Sequence, residues 1–364
     1  MIRILQCVNS MHRAGLETML MNYYRNIDRN KIQFDFLMHR EERSDYDDEI
    51  ESMGGRIYRA PRLYPQNYPA YFAYMKEFFR EHPEYKIVHS HIDAMSYLPL
   101  RAAKKANIPI RIAHSHNTAI DKDFKYLLKQ LFRHGIPNVA NEYAACGKEA
   151  GQFLFGDRPC RIIPNAIDAS LFRFDDAVRN TKREELGLND KFVVGHVGRM
   201  SYQKNHTFLL DIFEKIADKR KDSVLLLIGV GEKENEIRQK TSKKNLTDRV
   251  IFLGKRSDVK DLYQAMDVFL LPSLFEGIPL VGIEAQFSGL TCVFSDKVPE
   301  EVQISEKCSF VSLGQPPEVW ADEVLKLHTS ERNNVLISLD YDIRHAHAAL
   351  EQYYDVLCAC VIES

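Results

Sequence analysis

Two glutamates, Glu276 and Glu284, flank a predicted strand-to-helix turn. The apolar run Val268 to Leu271 is typical of a buried strand, and Pro279 suits the first turn of a helix that runs towards Ser288. Since a helix rises ~1.5 Å per residue, the two carboxylates would lie on the order of 10 Å apart. Carboxylates accept hydrogen bonds from hydroxyl groups, and a helix N-terminus between them binds anions. The turn therefore predicts a site for a ligand with hydroxyls at both ends and negative charge between them, as in a sugar nucleotide.

The anion itself is expected at the residues between the two carboxylates, namely Gly277, Ile278, Pro279 and Leu280. The backbone N–H groups of Gly277 and Ile278 would point at a phosphate group. Two carboxylates also suit the acid and the nucleophile of a glycosidase, but a retaining hydrolase needs them ~5–5.5 Å apart. Their predicted separation is about twice that value, so we assign both carboxylates to binding.

A second predicted loop carries positive charge. Gly198, Arg199 and Lys204 follow the apolar run 191–197 and precede a helix that begins near Asn205. When a glycosyl group leaves a nucleoside diphosphate, negative charge grows on the departing diphosphate, and fixed cations stabilise that charge. A short loop can bring a guanidinium, an ammonium and a helix N-terminus to one point. Arg199 and Lys204 are therefore the candidates for this electrostatic role.

Four histidines lie at the ends of two predicted strands, His89 and His91 on one and His114 and His116 on the other. Alternate residues of a strand share a face, so each pair points to one side of the sheet. Such a group can bind zinc, but no carboxylate or cysteine completes a ligand set. We therefore expect buried, hydrogen-bonded histidines and no metal site.

Short apolar strands alternate with amphipathic helical patterns along the chain, which predicts parallel α/β layers. The strands are expected at 2–8, 32–37, 86–91, 110–114, 139–146, 160–163, 191–197, 223–228, 250–253, 267–271, 291–294 and 309–313. A charged, irregular segment at 169–190 is interpreted as a linker between domains 1–168 and 191–344, both doubly wound and Rossmann-like. Parallel sheets bind ligands beyond the carboxyl ends of their strands, so we expect the domains to face a central cleft.

The composition is that of a globular protein, with 45% hydrophobic and 27% charged residues among 364, and this length favours two domains. The net charge of −2 provides no basic footprint for nucleic acid. The seven scattered cysteines favour a reducing cytoplasm. A strand that begins at Ile2, and the lack of any run of about 18 apolar residues, lead us to expect neither a signal peptide nor a transmembrane segment.

Four motifs, in chain order, resemble those of retaining glycosyltransferase family 4, whose members have the GT-B fold of two Rossmann-like domains. The first is Arg-Ala-Gly-Leu-Glu at 13–17, with Ala14 where a second glycine is usual, and the second is Ile-Pro-Asn-Ala-Ile-Asp at 163–168. The third is Gly-Arg-Met-Ser-Tyr-Gln-Lys-Asn at 198–205. The fourth consists of Glu276, within Pro-Ser-x-x-Glu-Gly-x-Pro, and Glu284, in the helix that follows. The likeness therefore covers most of the chain.

The resemblance implies roles for individual side chains. Glu276 would bind hydroxyls of the donor sugar, and Glu284 would bind the ribose hydroxyls of the nucleotide. His116 is similar to the family histidine that reaches the sugar near the reacting carbon, and His114 is the alternative for that place. Arg199 and Lys204 would neutralise the diphosphate without a metal.

Other residues are placed near the nucleotide by the same resemblance. Gly231 would border the nucleotide, and Lys255 and Arg256 would approach the base. Gly15 would let the first loop come close to the diphosphate or the acceptor, because glycine has no Cβ. The last helix, within 345–364, would pack back onto the N-terminal domain.

The expected activity is transfer of a hexosyl unit, with retention and without metal or cofactor. The donor would be a nucleoside diphosphate sugar, with UDP as the first choice, and the acceptor a glycan or a polyprenyl-diphosphate-linked glycan in cell-surface polysaccharide synthesis. Asp-x-Asp matches at 45–47 and 121–123 are interpreted as structural. Two alternatives remain open: a sugar-nucleotide epimerase or hydrolase of the same fold, and an inactive glycan-binding scaffold.

A predicted helix at 122–134 is both amphipathic and basic. Its apolar residues recur at helical spacing among lysines and an arginine, at Phe124, Leu127, Leu128, Leu131 and Phe132. The apolar face can pack into the core, or the helix can dock on an anionic inner membrane leaflet and bring the enzyme to a lipid-linked acceptor. Both interpretations remain open from the sequence.

Overall fold

The computed structural model describes residues 1–120, 124–327, 332 and 339–362, with the side chains of 360–362 excepted. The chain divides into two compact units. The N-unit consists of Met1–Ala166 and Asp342–Ser364, and the C-unit consists of Ile167–Tyr341.

The N-unit contains a parallel sheet of seven strands in the order β3-β2-β1-β4-β5-β6-β7. The strands are β1 (Ile2–Val8), β2 (Ile32–Met38), β3 (Ile57–Arg59), β4 (Ile87–Ser90), β5 (Ile110–Ser115), β6 (Glu142–Ala145) and β7 (Arg161–Ile162). The helices are α1 (Gly15–Asn26), α2 (Asp47–Ser52), α3 (Tyr68–Glu81), α4 (Tyr97–Lys105), α5 (Tyr126–Gly135) and α6 (Lys148–Phe155). The six strands expected here are present, and β3 is additional because three half-buried edge residues give no readable periodicity.

The C-unit contains a parallel sheet of six strands in the order β10-β9-β8-β11-β12-β13. The strands are β8 (Phe192–Val197), β9 (Ser223–Ile228), β10 (Val250–Gly254), β11 (Val268–Leu271), β12 (Thr291–Ser295) and β13 (Cys308–Val311). The helices are α7 (Asp176–Glu185), α8 (His206–Lys219), α9 (Glu234–Lys243), α10 (Val259–Ala265), α11 (Leu280–Phe287) and α12 (Pro317–Leu327). The four inner strands β9, β8, β11 and β12 are buried along their whole length, as expected when helices cover both faces of a parallel sheet, whereas the edge strands β10 and β13 are mostly half-buried.

The expected linker at 169–190 is instead part of the C-unit and contains α7. The two arginines of α7 are paired rather than solvated. Arg179 Nη2 lies 2.5 Å from Asp267 Oδ1, and Arg183 Nη1 lies 3.3 Å from Asp267 Oδ2. The charged composition that suggested a linker therefore belongs to a surface helix held by one aspartate beside β11.

The last helix, α13 (Ile343–Ile362), belongs to the N-unit and packs against α1. Glu351 Oε1 accepts a hydrogen bond of 2.9 Å from the backbone N–H of Asp28. Tyr354 is 1% exposed and reaches the side chains of β1 and β4. Within the described ranges, no helix is long and apolar enough to cross a membrane.

Candidate functional site

An ion pair between Lys204 and Glu276 lies at the carboxyl ends of β8 and β11. Nζ is 2.6 Å from Oε1, and the side chains are only 14% and 7% exposed. Gln203 Nε2 donates to Glu276 Oε2 at 3.2 Å, and the N–H of Leu274 donates to the carbonyl of Gln203 at 2.8 Å. The strand order reverses between β8 and β11, and open parallel sheets bind ligands at such a point.

Two of the expected glycines pack closely in this region. A Cβ on Gly198 would meet Lys204 Cδ and Cε at 3.2 Å, so the absence of a side chain lets the lysine stem lie against the backbone. A Cβ on Gly231 would meet the carbonyl oxygen of Met200 at 2.4 Å. The loops after β8 and β9 can therefore pack together only with glycine at 231.

Arg199 has a different partner from Lys204. Its side chain is 73% exposed, and its Nη2 lies 3.0 Å from Glu232 Oε2 in the loop after β9. The two expected cations therefore share the loop after β8 but pair with different carboxylates in this structure.

Glu284 lies half-buried on α11, and the hydroxyl of Tyr263 donates to its Oε2 at 2.8 Å. Loss of water around the carboxyl group raises the pKa of Glu284 to about 7, although the Tyr263 hydrogen bond opposes this shift. Tyr263 is fully buried on α10 and also donates to the carbonyl of Val281 at 3.2 Å. This tyrosine orients the carboxylate that the sequence singled out.

The turn between the two carboxylates is buried from Gly277 to Leu280, and α11 begins at Leu280 with Pro279 as its N-cap residue. Lys255 and Arg256 follow β10 and are exposed. Arg256 Nη2 lies 2.7 Å from Asp258 Oδ2. The structure thus places the C-unit candidates in the loops after β8, β9, β10 and β11, all at one edge of the sheet.

The four histidines form a stack at the carboxyl ends of β4 and β5 in the N-unit. Ring centroids are 4.1 Å apart for His89 and His91 and 4.0 Å apart for His114 and His116. His89 Nε2 lies 3.1 Å from His114 Nδ1, and His91 Nδ1 lies 3.1 Å from His116 Nε2. The strand order of this sheet reverses between β1 and β4. The histidine stack therefore lies at the carboxyl end of the strands beside this reversal, which is where open parallel sheets bind ligands.

Burial lowers the pKa of all four histidines, with His116 at about 3. The candidate ligand atoms of His89, His91 and His114 lie within 4.8 Å of one another, so these three could hold a metal. Hydrogen bonds between the rings and to Gln6 and Tyr354 already use six of the eight ring nitrogens. Asp93 accepts from the N–H of His116 at 2.7 Å, and burial raises the pKa of Asp93 to about 6.

Gly15 is the first residue of α1 and is exposed, and a Cβ built on it meets nothing within 4 Å. Asp47 of the Asp-x-Asp match at 45–47 is buried and pairs with Arg59 at 2.5 Å. The second match, at 121–123, lies outside the described residues.

Sequence reasoning missed four polar residues that hold the candidates in place, namely Gln6, Gln203, Tyr263 and Tyr354. Gln6 interrupts the apolar run of β1, and a polar side chain at a buried position is a usable signal. The others stand in helices or loops where polar residues are common, so their spacing carries no signal.

The chain has two doubly wound α/β units, and one of them carries a lysine–glutamate pair and a helix N-terminus where its strand order reverses. These features define the class of protein as a glycosyltransferase of the GT-B fold. The profile described as "Glycosyltransferase Family 4" matches residues 13–171, and that described as "Glycosyl transferases group 1" matches residues 191–330.

The chain is 34% identical to EpsF of Bacillus subtilis (strain 168), across 97% of this chain and 96% of that protein. It is 32% identical to an Escherichia coli UDP-Gal:alpha-D-GlcNAc-diphosphoundecaprenol alpha-1,3-galactosyltransferase, across 58% of each chain. The crystal structure of Anabaena HepE in complex with UDP-glucose superposes with a TM-score of 0.82 at 18% identity, covering 98% of this chain and 100% of that one. The chain belongs to glycosyltransferase family 4, and its relatives include glycosyltransferases of capsular polysaccharide and amylovoran biosynthesis.

Proposed function

We propose that this glycosyltransferase moves a hexosyl unit from a UDP-sugar to a hydroxyl of a glycan or a polyprenyl-diphosphate-linked glycan, with retention and without a metal ion. The nearly buried pair of Lys204 and Glu276 at the C-unit switch point carries the proposal, because it holds a cation and a hydroxyl-binding carboxylate side by side. The UDP-glucose complex of HepE and the diphosphoundecaprenol acceptor named for the E. coli relative support this choice of donor and acceptor.

Each C-unit residue has a defined task in this proposal. Lys204 and Arg199 neutralise the charge that develops on the leaving diphosphate, and Glu276 accepts hydrogen bonds from hydroxyl groups of the donor sugar. Glu284 accepts hydrogen bonds from the ribose hydroxyl groups. The exposed pair of Arg199 and Glu232 opens when the diphosphate binds, since an exposed ion pair contributes only ~0–1 kcal/mol.

The reaction breaks the bond between the anomeric carbon and the phosphate oxygen, and the acceptor oxygen bonds the same face of that carbon. The acceptor proton passes to the departing phosphate oxygen, so no side-chain base or nucleophile is needed. His116 contacts the sugar near the reacting carbon. Its pKa, lowered to about 3 by burial, keeps it neutral, so it serves as a hydrogen-bonding group rather than a cation.

The acceptor proposal includes contact with an anionic membrane through α5 and the two residues before it, Phe124 and Lys125. Phe124, Leu127 and Leu131 are 81%, 81% and 66% exposed, whereas Phe132 faces the core. Lysine and arginine side chains lie along the same segment, including Lys129 and Arg133. An outward apolar face with basic neighbours suits insertion at the interface of an anionic bilayer.

The proposal is tested by incubating the purified chain with UDP-, GDP- and ADP-sugars, with and without a lipid-linked glycan. We expect acceptor-dependent release of UDP, retained anomeric configuration by NMR of the product, and unchanged rates with a chelator. Release of UDP at full rate without acceptor would favour the epimerase or hydrolase alternative. A lack of thermal stabilisation by UDP would favour an inactive scaffold, because UDP at 100 times its Kd adds ~2.7 kcal/mol to the stability of a protein that binds it.

A further inference from the structure

The two histidine pairs of the N-unit are joined through Gln6 on β1 and Tyr354 on α13. Gln6 Oε1 lies 2.7 Å from His91 Nε2, and the Tyr354 hydroxyl lies 2.7 Å from His89 Nδ1. Gln6 Nε2 donates to the Tyr354 oxygen at 3.3 Å. Gln6, Tyr354, His89 and His91 are all at most 2% exposed. The histidines are therefore connected through one buried amide and one buried phenol.

The Gln6 amide gives this chain of hydrogen bonds a direction, because its oxygen only accepts and its nitrogen only donates. The oxygen faces His91 Nε2, so that nitrogen must carry the proton. His91 Nδ1 is then a lone pair and accepts from the Nε2–H of His116. The remaining nitrogen of His116, Nδ1, is left as a lone pair.

The nitrogen of the Gln6 amide fixes the direction of the hydrogen bonds in the second branch, through Tyr354 to His89 and His114. Because that N–H donates to the Tyr354 oxygen, the hydroxyl proton can donate to His89 Nδ1. His89 Nε2–H then donates to His114 Nδ1. His114 Nε2–H ends the chain and is buried without a hydrogen-bond partner among the described residues.

This arrangement requires all four rings to be neutral, since an added proton would set one N–H group against another. Burial favours neutrality, because it disfavours the charged form of a histidine. The titratable groups that touch the rings from neighbouring elements are the phenol of Tyr354 and, at the backbone of His116, the carboxyl of Asp93. One set of tautomers, with every proton on Nε2, satisfies each of these hydrogen bonds.

We propose that Gln6 is a positioning residue for the transfer reaction, because its amide fixes His116 as the Nε2–H tautomer and so presents Nδ1 as an acceptor for a hydroxyl of the bound sugar. Tyr354 extends the chain to His89 and His114 and fixes their tautomers in turn. This inference rests on the proposed function, in which His116 contacts the sugar.

The test that needs no variant is a 15N long-range NMR spectrum of the full chain labelled at histidine, recorded near pH 7.5. We expect neutral Nε2–H patterns for His89, His91, His114 and His116, each assigned by its single His→Gln variant. An Nδ1–H tautomer or an imidazolium at His91 or His116 would overturn the proposal. Stoichiometric binding of added Zn²⁺ that shifts these signals would also overturn it, since the cluster would then be a metal site.

Two variants test whether the histidine tautomers affect kcat. Gln6→Met removes the acceptor of His91, so we expect His116 to populate both tautomers and kcat to fall at least tenfold, with the Kd for UDP within twofold of wild type. Tyr354→Phe leaves the oxygen of Gln6 in place, so we expect mixed tautomers only at His89 and His114 and a loss in kcat below threefold. Tyr353→Phe, the adjacent tyrosine of α13, should change neither tautomers nor kcat.

A Gln6→Met protein with wild-type kcat, or with His116 still wholly Nε2–H, would contradict the proposal. If this variant does not fold, the wild-type tautomers alone decide. If wild type transfers no sugar while its tautomers are as expected, the proposed function fails and the hydrogen-bond chain stands.

Discussion

Tyr263 on α10 and Glu284 on α11 are linked by a hydrogen bond of 2.8 Å between the phenol and a carboxylate oxygen. Tyr263 is fully buried and Glu284 is half-buried, and loss of water around the carboxyl group raises the pKa of Glu284 to about 7. The carboxyl group proposed to bind ribose is therefore only about half ionised at neutral pH.

Binding of uridine should strengthen as the pH rises from 6 to 8, because the ionised carboxylate of Glu284 accepts stronger hydrogen bonds from the ribose hydroxyl groups than the protonated carboxyl group does. Uridine is the probe because it lacks phosphates that titrate in this range. Calorimetry should show a severalfold gain in affinity for wild type and a flat profile for Glu284→Gln. Tyr263→Phe should move the midpoint upward, since its hydrogen bond lowers the pKa. A slope that survives in Glu284→Gln would refute this assignment.

Lys204→Met should lower the free energy of unfolding by about 3 kcal/mol, because it removes the Lys204 cation from beside the buried Glu276 carboxylate. Lys204→Met combined with Glu276→Met should recover most of that loss, yet neither protein should transfer sugar. Urea unfolding measures both effects. The control is Lys215→Met, which breaks a more exposed pair with Glu318 at 3.0 Å and should cost less than ~1 kcal/mol. Equal losses for Lys204→Met and the control would show that the Lys204 pair is unimportant to stability.

Arg199→Ala should separate catalysis from stability. Since its ion pair with Glu232 is exposed, we expect the free energy of unfolding to change by less than ~0.5 kcal/mol. Turnover should fall at least tenfold because the leaving diphosphate loses a cation. Glu232→Gln should instead raise the affinity for UDP up to a few fold, because Arg199 no longer has a competing partner. Normal turnover of Arg199→Ala would remove this residue from the site.

The free energy of unfolding should fall as the pH drops below about 6.5, the ordinary pKa of histidine in an unfolded chain. Below that pH the unfolded state binds protons that the four stacked histidines, with lowered pKa, cannot take up in the folded state. Asp93 acts in the opposite sense, because its raised pKa favours the folded state as the pH falls through 6.

His116→Gln should reduce this slope by roughly 1 kcal/mol per pH unit between pH 6 and 4, since one titrating group is removed. Urea unfolding at several pH values measures it. Lys31→Gln, at an exposed site in the N-unit, is a control that should leave the slope unchanged. An identical slope in wild type and His116→Gln would mean that the histidine titrates normally.

Leu127→Ser combined with Leu131→Ser should reduce binding to vesicles that contain phosphatidylglycerol at least tenfold, because each buried leucine contributes ~1.5–3 kcal/mol at a bilayer. Co-sedimentation measures the bound fraction. Leu171→Ser removes a leucine that is 51% exposed on the C-unit and should bind as wild type does. Unchanged binding of the double variant, or equal binding of wild type to neutral phosphatidylcholine vesicles, would exclude an anionic membrane as the partner of this face.

The sequence by itself determined the fold class, and it predicted the residues of the candidate site. Alternating apolar runs and helical periods are local properties, so twelve strands could be placed before any contact was known. The segments around Arg199, Lys204, Glu276 and Glu284 were identifiable because glycines, prolines and charged residues at strand ends leave a local pattern. The edge strand β3 and the helix α7 were missed, since a three-residue strand and a helix with only two apolar residues show no apolar period.

Only the tertiary structure decided which of these groups are partners. The pairing of Lys204 with Glu276 and of Arg199 with Glu232 depends on which loops meet at the end of the sheet. The hydrogen bond from Tyr263 to Glu284 likewise depends on how α10 and α11 pack. The hydrogen bonds that Tyr354 of α13 makes with His89 and with Gln6 of β1 join residues 265 and 348 positions apart. Pairings of this kind follow from strand order and packing, and no local pattern in the chain encodes them.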